Sequence, residues 1–219
     1  MGRLRSKPVE DFMNRDPISV SKDEQIGVAL EIMERRGITH LPVLSGSRVV
    51  GVIAAWDLME GLGSARLQRV VSRRVYVSSL MTEPAITVSP KDTLDRAISL
   101  FKDRDISFLP VVDGDGNLLG TLTETDLMGL LSDRSDPPVS ELMTVNYPRT
   151  LPIDRIVHAR SKMLETGARV LPVVDQGTVV GLVTDFILAK AFMEIREKID
   201  PKRMDAAVRR ILIEDVMME

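Results

Sequence analysis

Three segments place a hydroxyl, a carboxylate or both where an apolar run gives way to a helix. They are Gly51-Val52-Ile53-Ala54-Ala55-Trp56-Asp57, Gly120-Thr121-Leu122-Thr123-Glu124-Thr125-Asp126 and Gly181-Leu182-Val183-Thr184-Asp185-Phe186-Ile187. A carboxylate in that position can accept hydrogen bonds from two adjacent hydroxyls, and a hydroxyl at a helix N-terminus attracts phosphate. The same Thr123-x-x-Asp126 spacing is also a capping box, with Thr at the N-cap and an acid at the third helical position, and both roles can coexist. Only the second segment carries both groups. The first keeps Asp57 but has Ala54 in place of Thr, and the third keeps Thr184 but has Ile187 in place of Asp.

Other chemistry is sparse. His40 and His158 are the only histidines and read as surface or packing residues. Asp113, Asp115 and Asn117, with Glu124 further on, imitate a calcium loop, but Leu118 stands where such a loop needs Gly. A hairpin turn is the expectation there. With 0 Cys there is no disulfide framework or thiolate site, and the 12 Met read as adaptable core filler. The sequence offers no Ser-His-Asp set, no metal-ligand cluster and no phosphate-cradling glycine loop. A protein without enzymatic activity, metal or cofactor is expected.

The elements that position these groups recur. Val9-Glu10-Asp11-Phe12-Met13, Val77-Ser78-Ser79-Leu80-Met81 and Val139-Ser140-Glu141-Leu142-Met143 open three segments, and Leu-Pro-Val recurs at Pro42, Pro110 and Pro172. Met13 to Met81 and Pro42 to Pro110 are both 68 residues apart, while Met81 to Met143 and Pro110 to Pro172 are both 62. Agreement at two landmarks identifies internal repeats. Each repeat predicts a short leading strand, a helix, two strands and a second helix. Ile26, Ala29, Leu30 and Met33 form the apolar stripe of one first helix, with Ser21-x-x-Glu24 as its capping box and Gly37 as its stop. Leu94, Ala97, Ile98 and Phe101 form another, with Ser89 as cap and Pro90 at the first helical position, and Ile156, Ala159 and Met163 a third, ending at Gly167. The second helices begin near Trp56, Glu124 and Asp185.

This pattern resembles the CBS-motif family, named after cystathionine β-synthase, through its opening Met, its Leu-Pro-Val and its Gly-apolar-apolar-Thr-x-x-Asp ending. The resemblance implies an α/β fold of tandem CBS repeats: small sheets packed with helices, in pseudo-twofold pairs of motifs. Residues 1–65 read as the first motif and 66–135 as the second, paired with the first, the pair closing near the polar linker 132–138. Residues 136–195 read as the third, and 196–219 as a linker helix and the start of a truncated fourth, from Ile213-Glu214-Asp215-Val216-Met217. The resemblance further implies binding of adenosine-containing ligands (AMP, ADP, ATP or S-adenosylmethionine) in the cleft between paired motifs. Thr123 would meet phosphate and Asp126 ribose, with Pro17, Ile18, Ile38 and Thr39 around the base. At the sister site Asp57 would meet ribose, with Ala85, Ile86, Ile106, Ser107 and Phe108 as the cage and His40 as a phosphate contact.

A regulatory adenylate sensor is therefore expected. The alternative is an oligomerisation protein with degenerate sites, which Ala54 and Ile187 favour. The net charge of -3 argues against nucleic acid, whose binding needs clustered Lys and Arg, and the basic run 69–74 reads as a solvated linker. No run approaches the ~18 apolar residues of a membrane helix, and the start lacks a secretory h-region, so a cytoplasmic address is expected. The third repeat has no partner of its own. Together with the apolar Ile187, Leu188, Ala191, Phe192 and Ile195, that predicts a homo-oligomer, a homodimer or larger, acting on a regulated enzyme or transporter.

Overall fold

A computed structural model describes residues 5–64, 75–128, 138–199 and 203–218. The basic run 69–74 and most of the linker 132–138 lie outside them. The described residues are mixed α/β and form three small sheets. In the first, β1 (Val20–Ser21) pairs in parallel with β2 (His40–Ser45), and β3 (Arg48–Ala54) lies on its other side. The second sheet is the hairpin of β4 (Phe108–Val112) and β5 (Leu118–Thr123), and the third is that of β6 (Val170–Asp175) and β7 (Thr178–Thr184). In the later repeats the leading strand shrinks to single parallel bridges, Val88 to Val111 and Thr150 to Val173.

Each repeat's first helix has the predicted stripe. These are α1 (Ile26–Arg36), α3 (Leu94–Arg104) and α6 (Ile156–Thr166), and Ile26, Ala29, Met33, Ala97, Ile156, Ala159 and Met163 are all fully buried. Gly37 and Gly167 end α1 and α6 in the left-handed conformation, where a residue without Cβ is unstrained. The second helices are α2 (Ala55–Leu62), α4 (Glu124–Met128) and α7 (Asp185–Lys198), with the short α5 (Val139–Leu142) and α8 (Met204–Val208) elsewhere.

The predicted helix starts are corrected. Ser21 and Glu24 do not cap α1, whose N-cap is Gln25 without a side-chain bond, and Ser89 does not cap α3, whose N-cap is Thr93 accepting from the Arg96 amide at 3.4 Å. Instead the Ser89 amide donates to Asp92 Oδ2 at 2.7 Å in a turn ahead of the helix. The first amides of the three helices are satisfied by distant backbone: Ile26 donates to Val75 O at 3.1 Å, Leu94 to Lys7 O at 2.9 Å and Ile156 to Ile211 O at 3.1 Å. A donor paired in this way leaves less for a cap to do.

The described residues form two compact units that cut across the repeats. One draws on 1–22, 40–52 and 82–143, and the other on 23–39, 53–81 and 144–219. In the first, Val9, Val88, Leu94, Ala97, Phe101, Leu109, Val111 and Leu122 make a continuous core. In the second, α2 packs along α7. Leu58, Met59 and Leu62 on one helix and Leu188, Ala189, Phe192, Met193 and Ile195 on the other are buried. The α7 face, read from the sequence as seeking a partner, is thus covered within the chain by α2 of the first repeat, a contact that does not bear on the oligomeric state. Arg196, only 4% exposed, extends the contact by donating from Nε to Leu62 O at 3.0 Å. Arg160 donates from Nη2 to Glu60 O at 2.7 Å. Two cations thus serve the last carbonyls of α2, the end where the helix dipole favours positive charge.

Candidate functional site

The candidate groups sit where β3, β5 and β7 pass directly into α2, α4 and α7. One backbone bond recurs at each junction: Ala55 N to Thr39 O at 2.9 Å, Glu124 N to Ser107 O at 3.2 Å and Asp185 N to Arg169 O at 3.0 Å. It ties the loop after each repeat's first helix to the start of the same repeat's second helix. The bond therefore holds Ile38 and Thr39 at the Asp57 helix, and Ile106 and Ser107 at the Thr123–Asp126 helix. Spacing patterns in the sequence carry no sign of this tie.

At the second repeat the capping box is complete. The Thr123 amide donates to Asp126 Oδ2 at 2.7 Å, the Thr123 hydroxyl donates to the same oxygen at 2.7 Å, and the Asp126 amide donates to Thr123 Oγ1 at 3.2 Å. Asp126 is exposed and Thr123 half-buried. At the first repeat only half survives: the Ala54 amide donates to Asp57 Oδ2 at 2.7 Å, and Ala54 has no hydroxyl to return. The third keeps the other half, with the Ile187 amide donating to Thr184 Oγ1 at 3.1 Å.

The remaining candidates divide between the units. Pro17, Ile18, His40, Ala85, Ile86, Ile106, Ser107 and Phe108 belong with Thr123 and Asp126 in the first unit, while Ile38, Thr39 and Asp57 belong to the second. Ile86 and Ile106 are half-buried against the core of the second repeat. His40 stacks on Phe108, ring centroids 5.4 Å apart and planes 8° from parallel. These residues occupy equivalent positions at the starts of β2 and β4, so the stack joins the first two repeats face to face. The calcium-like loop is a hairpin turn: Asp113 Oδ1 accepts from the amides of Asp115 and Asn117 at 2.9 and 2.8 Å, and its Oδ2 accepts from Asn117 Nδ2 at 2.9 Å. The Asn117 side chain, aided by these amides, holds the Asp113 carboxyl below its ordinary range.

Sequence reasoning missed Asp185 and Arg196. Asp185, 5% exposed, accepts on Oδ1 from the Phe186 amide at 2.8 Å. Burial pushes its carboxyl up, against the opposing pull of that amide and of Arg169. The Arg169 guanidinium lies 5.8 Å from the centre of the Trp56 ring. Arg196 was detectable: Leu188, Phe192 and Arg196 are four apart, so the cation continues the apolar stripe of α7. Among the described residues no group of three or more His, Cys, Asp or Glu could hold a metal ion, and no helix is long and apolar enough to cross a membrane.

Protein MJ1225 of Methanocaldococcus jannaschii is 26% identical to this chain over 190 residues, covering 80% of the chain and 68% of the relative. Its crystal structure superposes with a TM-score of 0.82 at 22% identity, covering 96% of this chain and 82% of that one, which is a likeness of fold. The homoserine O-acetyltransferase of Methanocorpusculum labreanum is 34% identical over 125 residues, and the match spans 24% of that enzyme's length. Two solved CBS pairs match with TM-scores of 0.50: CBSX2 in complex with AMP, at 31% identity over 56% of this chain and 94% of that one, and MJ0100 in complex with 5-methylthioadenosine and S-adenosyl-L-methionine, at 26% over 57% and 94%. The CBS domain family matches at residues 9–64, 77–133 and 139–194, most of the sequence, and the chain belongs to it.

Proposed function

We propose that the chain is a regulatory protein that binds an adenosine-containing ligand at the start of α4. The carrying observation is the bonded pair of half-buried Thr123 and exposed Asp126, held beside Ile106 and Ser107 by the Glu124–Ser107 bond. A phosphate draws the Thr123 hydroxyl proton away from Asp126, and vicinal ribose hydroxyls then donate to the carboxylate. Ile86 and Ile106 offer apolar surface for the base. This allots the base-lining loop and the acid to one repeat, where the resemblance to the CBS family divides them between two. The AMP complex of CBSX2 and the S-adenosyl-L-methionine complex of MJ0100 support an adenosine ligand.

The physiological effect is on a partner, an enzyme or transporter, through the packing of the paired repeats in the cytoplasm. A ligand shifts a conformation only by its differential affinity for two states, and exchange of the Thr123–Asp126 bond for ligand contacts supplies such a difference locally. No turnover accompanies binding: phosphoryl transfer needs a metal clamp and a cation on the transferring group, and Asp126 is committed to ribose. Titration calorimetry with AMP, ADP, ATP and S-adenosylmethionine tests the proposal, and heat from none of them refutes it. Incubation with ATP and magnesium should release no phosphate above background. Release that survived repurification and vanished in Asp126→Ala would make the chain an enzyme.

Ala54 and Ile187 favour a second reading, in which the repeats serve assembly alone. Calorimetric silence combined with intact folding would select it.

A further inference from the structure

Among the described residues four polar side chains are buried: Thr121, Thr150, Asp185 and Arg196. Three of them have partners. The Thr150 hydroxyl donates to Asp154 Oδ2 at 2.8 Å, Asp185 accepts from the Phe186 amide, and Arg196 donates to Leu62 O. Thr121, 7% exposed, spends both backbone groups on Asn14, donating at 3.0 Å and accepting at 2.8 Å, and no described residue bonds its hydroxyl. A buried hydroxyl in that state is costly and calls for a reason.

The fold does not supply one. The equivalent residues, which follow Gly51 and Gly181, are Val52 and Leu182. They make the same two-bond backbone exchange, with Thr82 and Met218, behind apolar side chains. The hydroxyl does face the candidate site. Leu122 belongs to the core of the second repeat, so Thr121 and Thr123 project from the opposite face of β5. Pro110 and Phe108 lie across the hairpin from them. Exposure rises along this line, from buried Thr121 through half-buried Thr123 to exposed Asp126. A nucleotide entering base first would leave its phosphate and ribose at Thr123 and Asp126. Its base would travel inward along roughly 7 Å of strand, the length of two residues, to Thr121.

We infer that the Thr121 hydroxyl is the specificity contact for the base, accepting a hydrogen bond from the exocyclic amine of adenine. The inference rests on the reading of the start of α4 as an adenosine site. The amine is a donor and must find an acceptor when it is buried. Asn14 already engages the Thr121 carbonyl, which leaves the hydroxyl as the acceptor at this position.

Titration calorimetry with AMP and with purine riboside 5′-monophosphate, which lacks the amine, reads the contact as a cycle. Wild type should bind AMP about fivefold tighter or more. Thr121→Val should lower AMP affinity to that of the analogue and leave the analogue unaffected, and Thr121→Ser should keep the preference. Ligand-free Thr121→Val should melt no lower than wild type, because the lost hydroxyl has no partner in the fold. No preference in wild type, equal weakening of both ligands, or a preference that survives Thr121→Val overturns the inference. A lowered melting temperature does so too, by giving the hydroxyl a structural role. Asp126→Ala separates the contact from the reading beneath it. If Asp126→Ala weakens both ligands while Thr121→Val spares both, only the base contact falls. If Asp126→Ala weakens neither, the site itself is misplaced and the base contact falls with it.

Discussion

The starts of α4 and α7 are built from equivalent residues and put them to opposite uses. In the second repeat, Glu124 and Asp126 of the first turn are exposed, and the helix start is open to solutes. In the third repeat, Asp185 replaces Glu124 and is buried, Ile187 replaces Asp126, and the helix behind them is covered by α2. The junction bond from strand loop to helix amide is the same in both. What differs is the chemistry at two positions of the first turn. One CBS repeat thus keeps its helix start exposed to solvent, while its sister buries the equivalent acid in the core.

If the third repeat's helix is structural, truncating it should cost more than any change at the open site. Phe192 is 1% exposed, and Phe192→Ala should destabilise the chain by about 3–5 kcal/mol in urea unfolding, through lost transfer energy and the cavity left behind. A loss below about 1 kcal/mol would mean that the α2–α7 contact is not held in solution.

At the open site the larger effect should be on binding. Asp126→Ala removes charge-assisted hydrogen bonds worth about 1.5–3 kcal/mol each, so AMP affinity by calorimetry should fall at least tenfold. Asp57→Ala should cost less, because Ala54 leaves that site without its hydroxyl. Equal affinities for wild type and Asp126→Ala would refute the assignment of the site and erase the contrast between the two helices.

The sequence disclosed the periodic features and missed those set by distant partners. The stripes of α1, α3 and α6 follow from a 3.6-residue period, and the repeats from fixed spacing. The cap at Ser89 was misplaced because the first amide of α3 is paired with Lys7 O, which no local pattern encodes. For the same reason the α7 face looked unpartnered: an apolar stripe declares that it is buried and not against what. At the candidate site the acid and hydroxyl were legible from the Thr-x-x-Asp spacing. The company kept by Ile106 and Ser107 depends on one backbone bond across the repeat, so it was not legible.

Asp185 gives a pH test of the buried side. Burial raises its carboxyl above the ordinary value of 3.8, so between those two values the folded chain binds more protons than the unfolded one. Stability from this group is therefore present at low pH and lost as pH rises through the raised value. Asp185→Asn keeps an oxygen for the Phe186 amide and removes the charge. It should raise the melting temperature at neutral pH, with the gain shrinking as pH falls toward 3.8. A variant that melts lower than wild type at pH 7 would show that the Arg169 and Phe186 contacts outweigh burial.

The smallest effect should come from restoring what the first repeat lacks. Ala54 has φ -114° and ψ 161°, and Thr184 has φ -113° and ψ 165°, so the two N-caps share one backbone geometry. A hydroxyl on residue 54 would stand as Thr184 Oγ1 does, 3.1 Å from the amide three residues on. Asp57 already accepts from the Ala54 amide, and Ala54→Ser would complete the reciprocal box. Caps of this kind contribute about 0.5–2 kcal/mol over Ala, and because Ala54 is only 8% exposed the lower end is expected. Chemical denaturation should show that gain, and calorimetry should show a second adenylate binding event strengthened relative to wild type. A gain in stability with no change in binding would mean that a complete box is a cap and nothing more. Thr123 and Asp126 would then lose their claim to a ligand as well, because that claim rests on the hydroxyl and the carboxylate acting together.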